Sequence, residues 1–251
     1  MATDLITLPE ELLSSILSNL PSKELAHISR VCRRIASTAA TLLSHRLRMG
    51  SLAGYQLICE VATPARRTLT PYQLCVAKGP TKPISPNSAL SEIYTRFSAD
   101  GRIQTAVSME QLEQFTQLCA NAVMLKMDPH AGCYSSLERV FDNTFFRLRR
   151  SELRAMGAAG MVKTVWLGDG NDVALRFRVL RREQRPWVMG FGSEDEMEGP
   201  VRYVLECEEV WIRSLTMLGI LEETGTRSAK DAVIIGRTVY FAWAWVASDP
   251  I

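Results

Sequence analysis

The chain has 251 residues, 47% of them hydrophobic and 22% charged, which is the balance of a globular protein with room for one large or two modest domains. Its formal net charge is +2: residues 1–50 hold six Lys/Arg against four Asp/Glu, leaving 23 of each afterwards, so charge gives no broad nucleic-acid footprint. Asp4, Glu10 and Glu11 stand where a secretory signal would be apolar or basic, and no run approaches the ~18–20 apolar residues of a membrane span, which predicts a soluble intracellular chain, cytoplasmic and/or nuclear.

Residues 5–48 carry the most specific signal. Thr7 and Glu10 have capping-box spacing, with Pro9 in the first turn where its missing N–H costs nothing, so a helix is expected from Thr7. Leu8, Leu12, Leu13, Ile16, Leu17 and Leu20 then form an apolar band wider than one neighbouring helix covers. Pro21 ends that helix and Ser22 offers a fresh N-cap. A short second helix carries Leu25, Ile28 and Val31; beyond Cys32, Arg33, Arg34 and Ile35 a third carries Ala39, Leu42, Leu43 and Leu47. Three helices in about 45 residues lie near the lower size limit for independent stability, so another surface must cover the excess apolar face.

These residues resemble an F-box. The family pattern of Leu-Pro, an acidic residue, an Ile/Leu-rich helix, a second Leu-Pro, a Leu and a Val-Cys-basic-basic run is matched by Leu8-Pro9-Glu10-Glu11, Leu12 to Leu17, Leu20-Pro21, Leu25 and Val31-Cys32-Arg33-Arg34. Ile35 stands where the family often has Trp. The resemblance implies a non-catalytic module that binds a Skp-type adaptor, and through it a cullin-based ubiquitin ligase. The contacts it implies are Leu8, Pro9, Leu12, Ile16, Leu17, Leu20, Pro21, Leu25, Val31 and Ile35. It also implies that the rest of the chain selects a protein substrate, giving an F-box helical module at 1–50 and a substrate-recruiting α+β domain at 51–251.

From Gly50 the spacing turns to alternation, with the boundary placed at 49–54. Tyr55, Leu57, Cys59 and Val61 predict one strand and Tyr72, Leu74 and Val76 a second, with a turn at 64–67. Residues 78–90, rich in Pro, Gly and Ser, read as an exposed loop. Ser108 to Leu125 reads as a helix, with Ser108 and Gln111 as its capping box and Leu112, Phe115, Leu118, Cys119 and Ala122 on one face; a strand over 122–127 is an alternative ending. Ser135 and Glu138 offer a second cap ahead of Leu137, Val140 and Phe141, and residues 145–150 either extend that helix or turn into a strand. Val162, Thr164 and Trp166 lead through the turn residues 168–172 into a strand with Val173, Leu175, Phe177 and Val179 on one face and Arg176 and Arg178 on the other. Residues 190–199 form an acidic loop, 201–212 a strand, and 239–246 a strand apolar on both faces and therefore central. The fold class expected is α+β: three N-terminal helices, then a mostly antiparallel sheet or two-layer sandwich with a few helices. No repeat of 20–50 residues occurs, which disfavours a solenoid or propeller.

No motif predicts catalysis, a metal or a cofactor. Asp128, His130 and Cys133 lie around a Pro129/Gly132 turn without an oxyanion motif, and Cys119, His130 and Cys133 lack paired ligand spacing. The six cysteines, 32, 59, 75, 119, 133 and 207, fall mostly in apolar patterns, as buried reduced thiols do. Arg147, Arg149, Arg150, Arg154, Arg176, Arg178, Arg181, Arg182 and Arg185 form either a basic patch for an acidic target or a solvated face neutralised by Glu194, Asp195, Glu196 and Glu198; balanced charge favours the second. A small-molecule or glycan-binding module, or a degenerate enzyme, with the helices as an appendage is the alternative, and a pocket of converging polar groups would mark it.

Overall fold

The structure is a computed structural model that describes residues 8–48, 55–64, 73–81, 92–128, 133–168, 170–184, 199–223, 232–235 and 238–241. The chain opens with three helices, α1 (Glu10–Ser18), α2 (Ser22–Ile28) and α3 (Arg33–Arg48). Strands β1 (Tyr55–Ala62), β2 (Gln73–Pro80), β3 (Tyr94–Met109), β4 (Phe115–Asp128) and β5 (Cys133–Arg149) follow. Then come α4 (Arg150–Ala159), β6 (Lys163–Leu167), β7 (Val173–Gln184), β8 (Val201–Arg213), α5 (Ser214–Glu223), β9 (Ala232–Ile235) and β10 (Thr238–Phe241).

The start of α1 differs from expectation. Thr7 lies outside the described residues, and Pro9, not Thr7, is the N-cap: its extended backbone accepts the first helical bond, from Leu13 N at 3.0 Å. Pro21 does the same for α2, accepting from Leu25 N at 2.9 Å, so Ser22 is the first helical residue and not the cap. Both prolines use a fixed φ that suits the half-in position before a helix. The boundary expected at 49–54 and the turn at 64–67 fall mainly outside the described residues.

Eight strands form one sheet, in the order β5-β4-β1-β2-β3-β8-β7-β6, with every pairing antiparallel. The sheet curls. Phe146 of β5 and Phe177 of β7 are far apart in that order, yet their rings stack at 5.6 Å, and side chains from β1 to β8 join Leu153 and Met156 of α4 in one core. The outcome is a single curved sheet around one interior.

Two expected helices are strands. Residues 108–125 comprise the end of β3, a short turn, and most of β4. Leu118, Ala120, Ala122 and Met124 enter the core, while Cys119, Asn121, Val123 and Leu125 on the opposite face are buried too. A strand buried on both faces is apolar at nearly every position, so it shows no alternation and can imitate helical spacing. The helix expected after Ser135 is β5, paired with β4 along its length, and residues 145–149 continue that strand. Strand β2 runs through Lys78 and Gly79 to Pro80, into the expected loop, across a bulge between Ala77 and Gly79. Gly79 has φ +93, a conformation that requires glycine. Finally, of the segment 239–246 expected to be a central strand, residues 239–241 belong to β10, which among the described residues pairs with β9 in a separate two-stranded sheet; residues 242–246 lie outside the described residues. The doubly buried strands are β1 and β4.

The hairpin β6–β7 turns at Gly168 and Asn171, both with positive φ, and β8 spans the stretch predicted as a strand. Helices α4 and α5 have no counterpart in the sequence reading. Gly160, at φ +61, closes α4 as a left-handed cap, and α5 is apolar around most of its circumference because it is packed on two sides.

Cys59, Cys75 and Cys207 meet inside the sheet. Burial pushes the Cys75 thiol up to about 12; Cys59 and Cys207 are also raised, first by burial and then by neighbouring thiols. In the folded chain at about pH 8, iodoacetamide is therefore expected to modify half-buried Cys32 and to spare Cys59, Cys75, Cys119 and Cys207 until denaturant is added. Peptide mass mapping reads this out, and alkylation of native Cys75 would contradict the packing.

Candidate functional site: an exposed face on the helical module

The band on α1 divides in two. Leu13 and Leu17 are buried with Leu25 of α2, Ile35 and Leu43 of α3, and Leu218 of α5. Leu12 and Ile16 remain 53% and 45% exposed. One helical turn separates those two, so Leu12 and Ile16 follow one another along the outer side of α1, and half-buried Leu8 stands just ahead of the Pro9 cap. Pro9 and Pro21 are exposed at the two N-caps, Leu20 is half-buried, and Val31 is 68% exposed between α2 and α3.

The ten contact residues expected from the resemblance thus fall into two groups. Leu8, Pro9, Leu12, Ile16, Pro21 and Val31 reach solvent, with Leu20 at the margin; Leu17, Leu25 and Ile35 are interior and shape the module from within. Ile35, 5% exposed, fills its place in that core.

The chain's own α5 packs against α2 and α3 and completes the helical core. Leu218 enters the helical core and adjacent Met217 enters the sheet core. A polar clamp fastens the same junction. Glu222 accepts from Ser22 N at 2.8 Å and Ser22 Oγ at 2.5 Å. Arg46 of α3 donates to Glu222 Oε1 at 2.9 Å, to Ser18 O at 2.8 Å and to Leu20 O at 2.7 Å. Glu222 thereby gives α2 the capping carboxylate that Pro21 cannot supply. Sequence spacing missed this contact, because 200 residues separate its partners; the one local sign of it was the nearly unbroken apolar run 215–221. Glu222→Ala is expected to lower stability by about 1–2 kcal/mol, the range for hydrogen bonds to a charged group discounted for partial exposure. Urea unfolding at neutral pH checks this, and an unchanged midpoint would show the clamp to be idle.

On the outer face of the sheet, the arginines of β7 are neutralised by β8. Arg176 pairs with Glu209 at 2.8 Å, and Arg178 with Glu206 at 2.5 Å and Glu208 at 3.1 Å. Burial alone would raise the Glu209 carboxyl, but hydrogen bonds from Trp211 and Arg176 outweigh it and hold it below the usual carboxylate range. The acidic residues 194–198 expected to play this part lie outside the described residues. Among the described residues no cluster of His, Cys, Asp and Glu could hold a metal ion, and no helix is long and apolar enough to cross a membrane.

Compared with known proteins, the chain matches the family model described as F-box-like over residues 5–49. No curated protein and no solved structure matches it. F-box domains generally bind Skp-type adaptors and are typically non-enzymatic. The order of Leu-Pro and Val-Cys-Arg-Arg elements, the three-helix packing and the family match agree: the N-terminal segment of this protein is an F-box-like domain, which points to adaptor binding in a Skp–cullin–F-box ubiquitin ligase.

Proposed function

We propose that the chain is a non-catalytic, target-recruiting subunit of such a ligase. Its helical face at Leu8, Pro9, Leu12, Ile16, Leu20, Pro21 and Val31 docks the adaptor, and the adaptor joins it to a cullin. The domain at 51–251 holds the protein to be ubiquitinated. The observation that carries this reading is that Leu12 and Ile16 stay exposed along α1 while Leu13 and Leu17 of the same helix are buried in the module's core. An apolar strip left open beside an otherwise completed core is what an obligate partner would cover.

Co-expression of the full chain with a Skp-type adaptor, followed by size-exclusion chromatography, tests it. A stoichiometric complex is expected; a folded monomer that never co-elutes with the adaptor would overturn the reading. The interior of the sheet, filled by Phe97, Phe146, Phe177 and Tyr203, supports a recruiting surface on the outside of the domain over a ligand held within it.

A further inference from the structure

The arginines that the sequence groups together are divided by the fold. Arg176, Arg178 and Arg181 are each paired with a carboxylate. Arg147 and Arg149 are not: both are exposed on the outer side of β5, because Phe146 and Leu148 between and beside them point into the core. Among the described residues no carboxylate is in ion-pair contact with either guanidinium. The Arg147 guanidinium lies 4.7 Å from the ring of Phe115, which is itself 48% exposed.

These side chains line a cleft of about 650 Å³ with Gln114, Ser151 and Glu152. Glu152 is already engaged, bonded to Lys163 Nζ at 2.5 Å and to the Arg149 backbone N–H at 2.9 Å, and its carboxyl is held below the usual range first by Lys163 and to a smaller extent by the Arg149 charge. Gln114 and Ser151 also belong to a neighbouring cleft of about 450 Å³, lined further by Arg150, Arg154, Ala155 and Ala158. Arg150 is 6% exposed, with its guanidinium bonded to Gln111 O at 2.6 Å and Gly199 O at 2.8 Å, so it sets a fixed positive charge beneath the second cleft. The two clefts adjoin at Gln114 and Ser151 as a trough, with Phe115, Arg147 and Arg149 along one part and Arg150, Arg154, Ala155 and Ala158 along the other.

We propose that this trough binds an extended acidic segment of the recruited protein, which deepens the functional reading above and rests on it. The segment's carboxylates pair with Arg147 and Arg149, and an apolar side chain packs beside Phe115. Guanidinium forks match carboxylates in bidentate geometry, and two linked clefts suit a peptide better than one small anion. A nucleic-acid strand fits less well, since residues after 50 carry balanced charge and nucleic-acid sites sit in strongly basic domains.

The test is fluorescence anisotropy on the full chain with three labelled probes: a peptide of alternating Glu and Ser around a central Phe, the same peptide with Gln for Glu, and a single-stranded oligothymidylate of similar length. The Glu peptide is expected to bind best, to weaken with added salt, and to lose about tenfold or more in affinity in Arg147→Glu/Arg149→Glu. Arg147→Gln/Arg149→Gln should show a smaller loss, and Arg181→Glu no loss. Absence of Glu-peptide binding, equal binding of the Gln peptide, tighter binding of the oligonucleotide, or indifference to the Arg147/Arg149 changes would each overturn the proposal. Adaptor co-elution of the same variants separates the two readings: a variant that binds adaptor normally but not peptide confines its defect to the trough.

Discussion

Replacing both Leu12 and Ile16 with Asp is expected to abolish co-elution with a Skp-type adaptor while the chain stays folded. The two side chains are 53% and 45% exposed and separated by one helical turn, so in the free protein the carboxylates would sit in water at little cost. In a complex each would be buried without a partner. Losing a central apolar contact costs about 2 kcal/mol per side chain, and two such losses amount to about a thousandfold in affinity; unpaired burial of charge adds to that. Leu17→Ala makes the internal comparison: Leu17 is 1% exposed in the helical core, so its truncation should cost stability first, about 2–5 kcal/mol. A double Asp variant with an unchanged urea midpoint that still forms the full complex would place the adaptor elsewhere.

The largest loss of stability is expected at the seam of the curled sheet. Phe177→Ala removes a ring that is 1% exposed and stacked on Phe146 at 5.6 Å with 26° between the planes. Emptying such a site costs about 3–5 kcal/mol, and the aromatic pair contributes about 0.5–1.5 kcal/mol of its own, a large share of the ~5–15 kcal/mol by which domains are stable. Leu112→Ala, at a position 72% exposed, is expected to stay within about 0.5 kcal/mol. Equilibrium urea unfolding distinguishes them, and similar midpoints for the two variants would mean that β5 and β7 do not share a core.

The helical module was legible because its signals are local. Leu-Pro pairs, a Val-Cys-Arg-Arg run and helical spacing all act within a few residues, and the errors there lay at helix ends: Pro9 and Pro21 took positions expected for Thr7 and Ser22, and α2 stops at Ile28, short of Val31. Hairpin β6–β7 was legible for the same reason, since Gly168 and Asn171 supply the positive φ that the turn needs. Strand β4 was not, because burial on both faces erased its alternation and left Leu118, Cys119 and Ala122 at helical intervals. Of segment 239–246, whose apolar faces suggested a central strand, the described residues 239–241 pair with β9 in a sheet of their own. The site was half visible. Sequence pointed to ten residues, but which of them stay exposed depends on how the three helices pack on one another and on α5, which lies some 200 residues away in the chain.

That helix bears on how this protein could be taken apart. Met217 and Leu218 are neighbours in sequence, yet each completes a different core. Here the N-terminal module is therefore not a portable cassette: grafted onto an unrelated domain it would lose its lid, and another protein's module placed here would meet a helix it was not shaped to receive. With the helical core on one side of that shared helix and the curved sheet on the other, the angle between the two is built into the chain, not left to a tether.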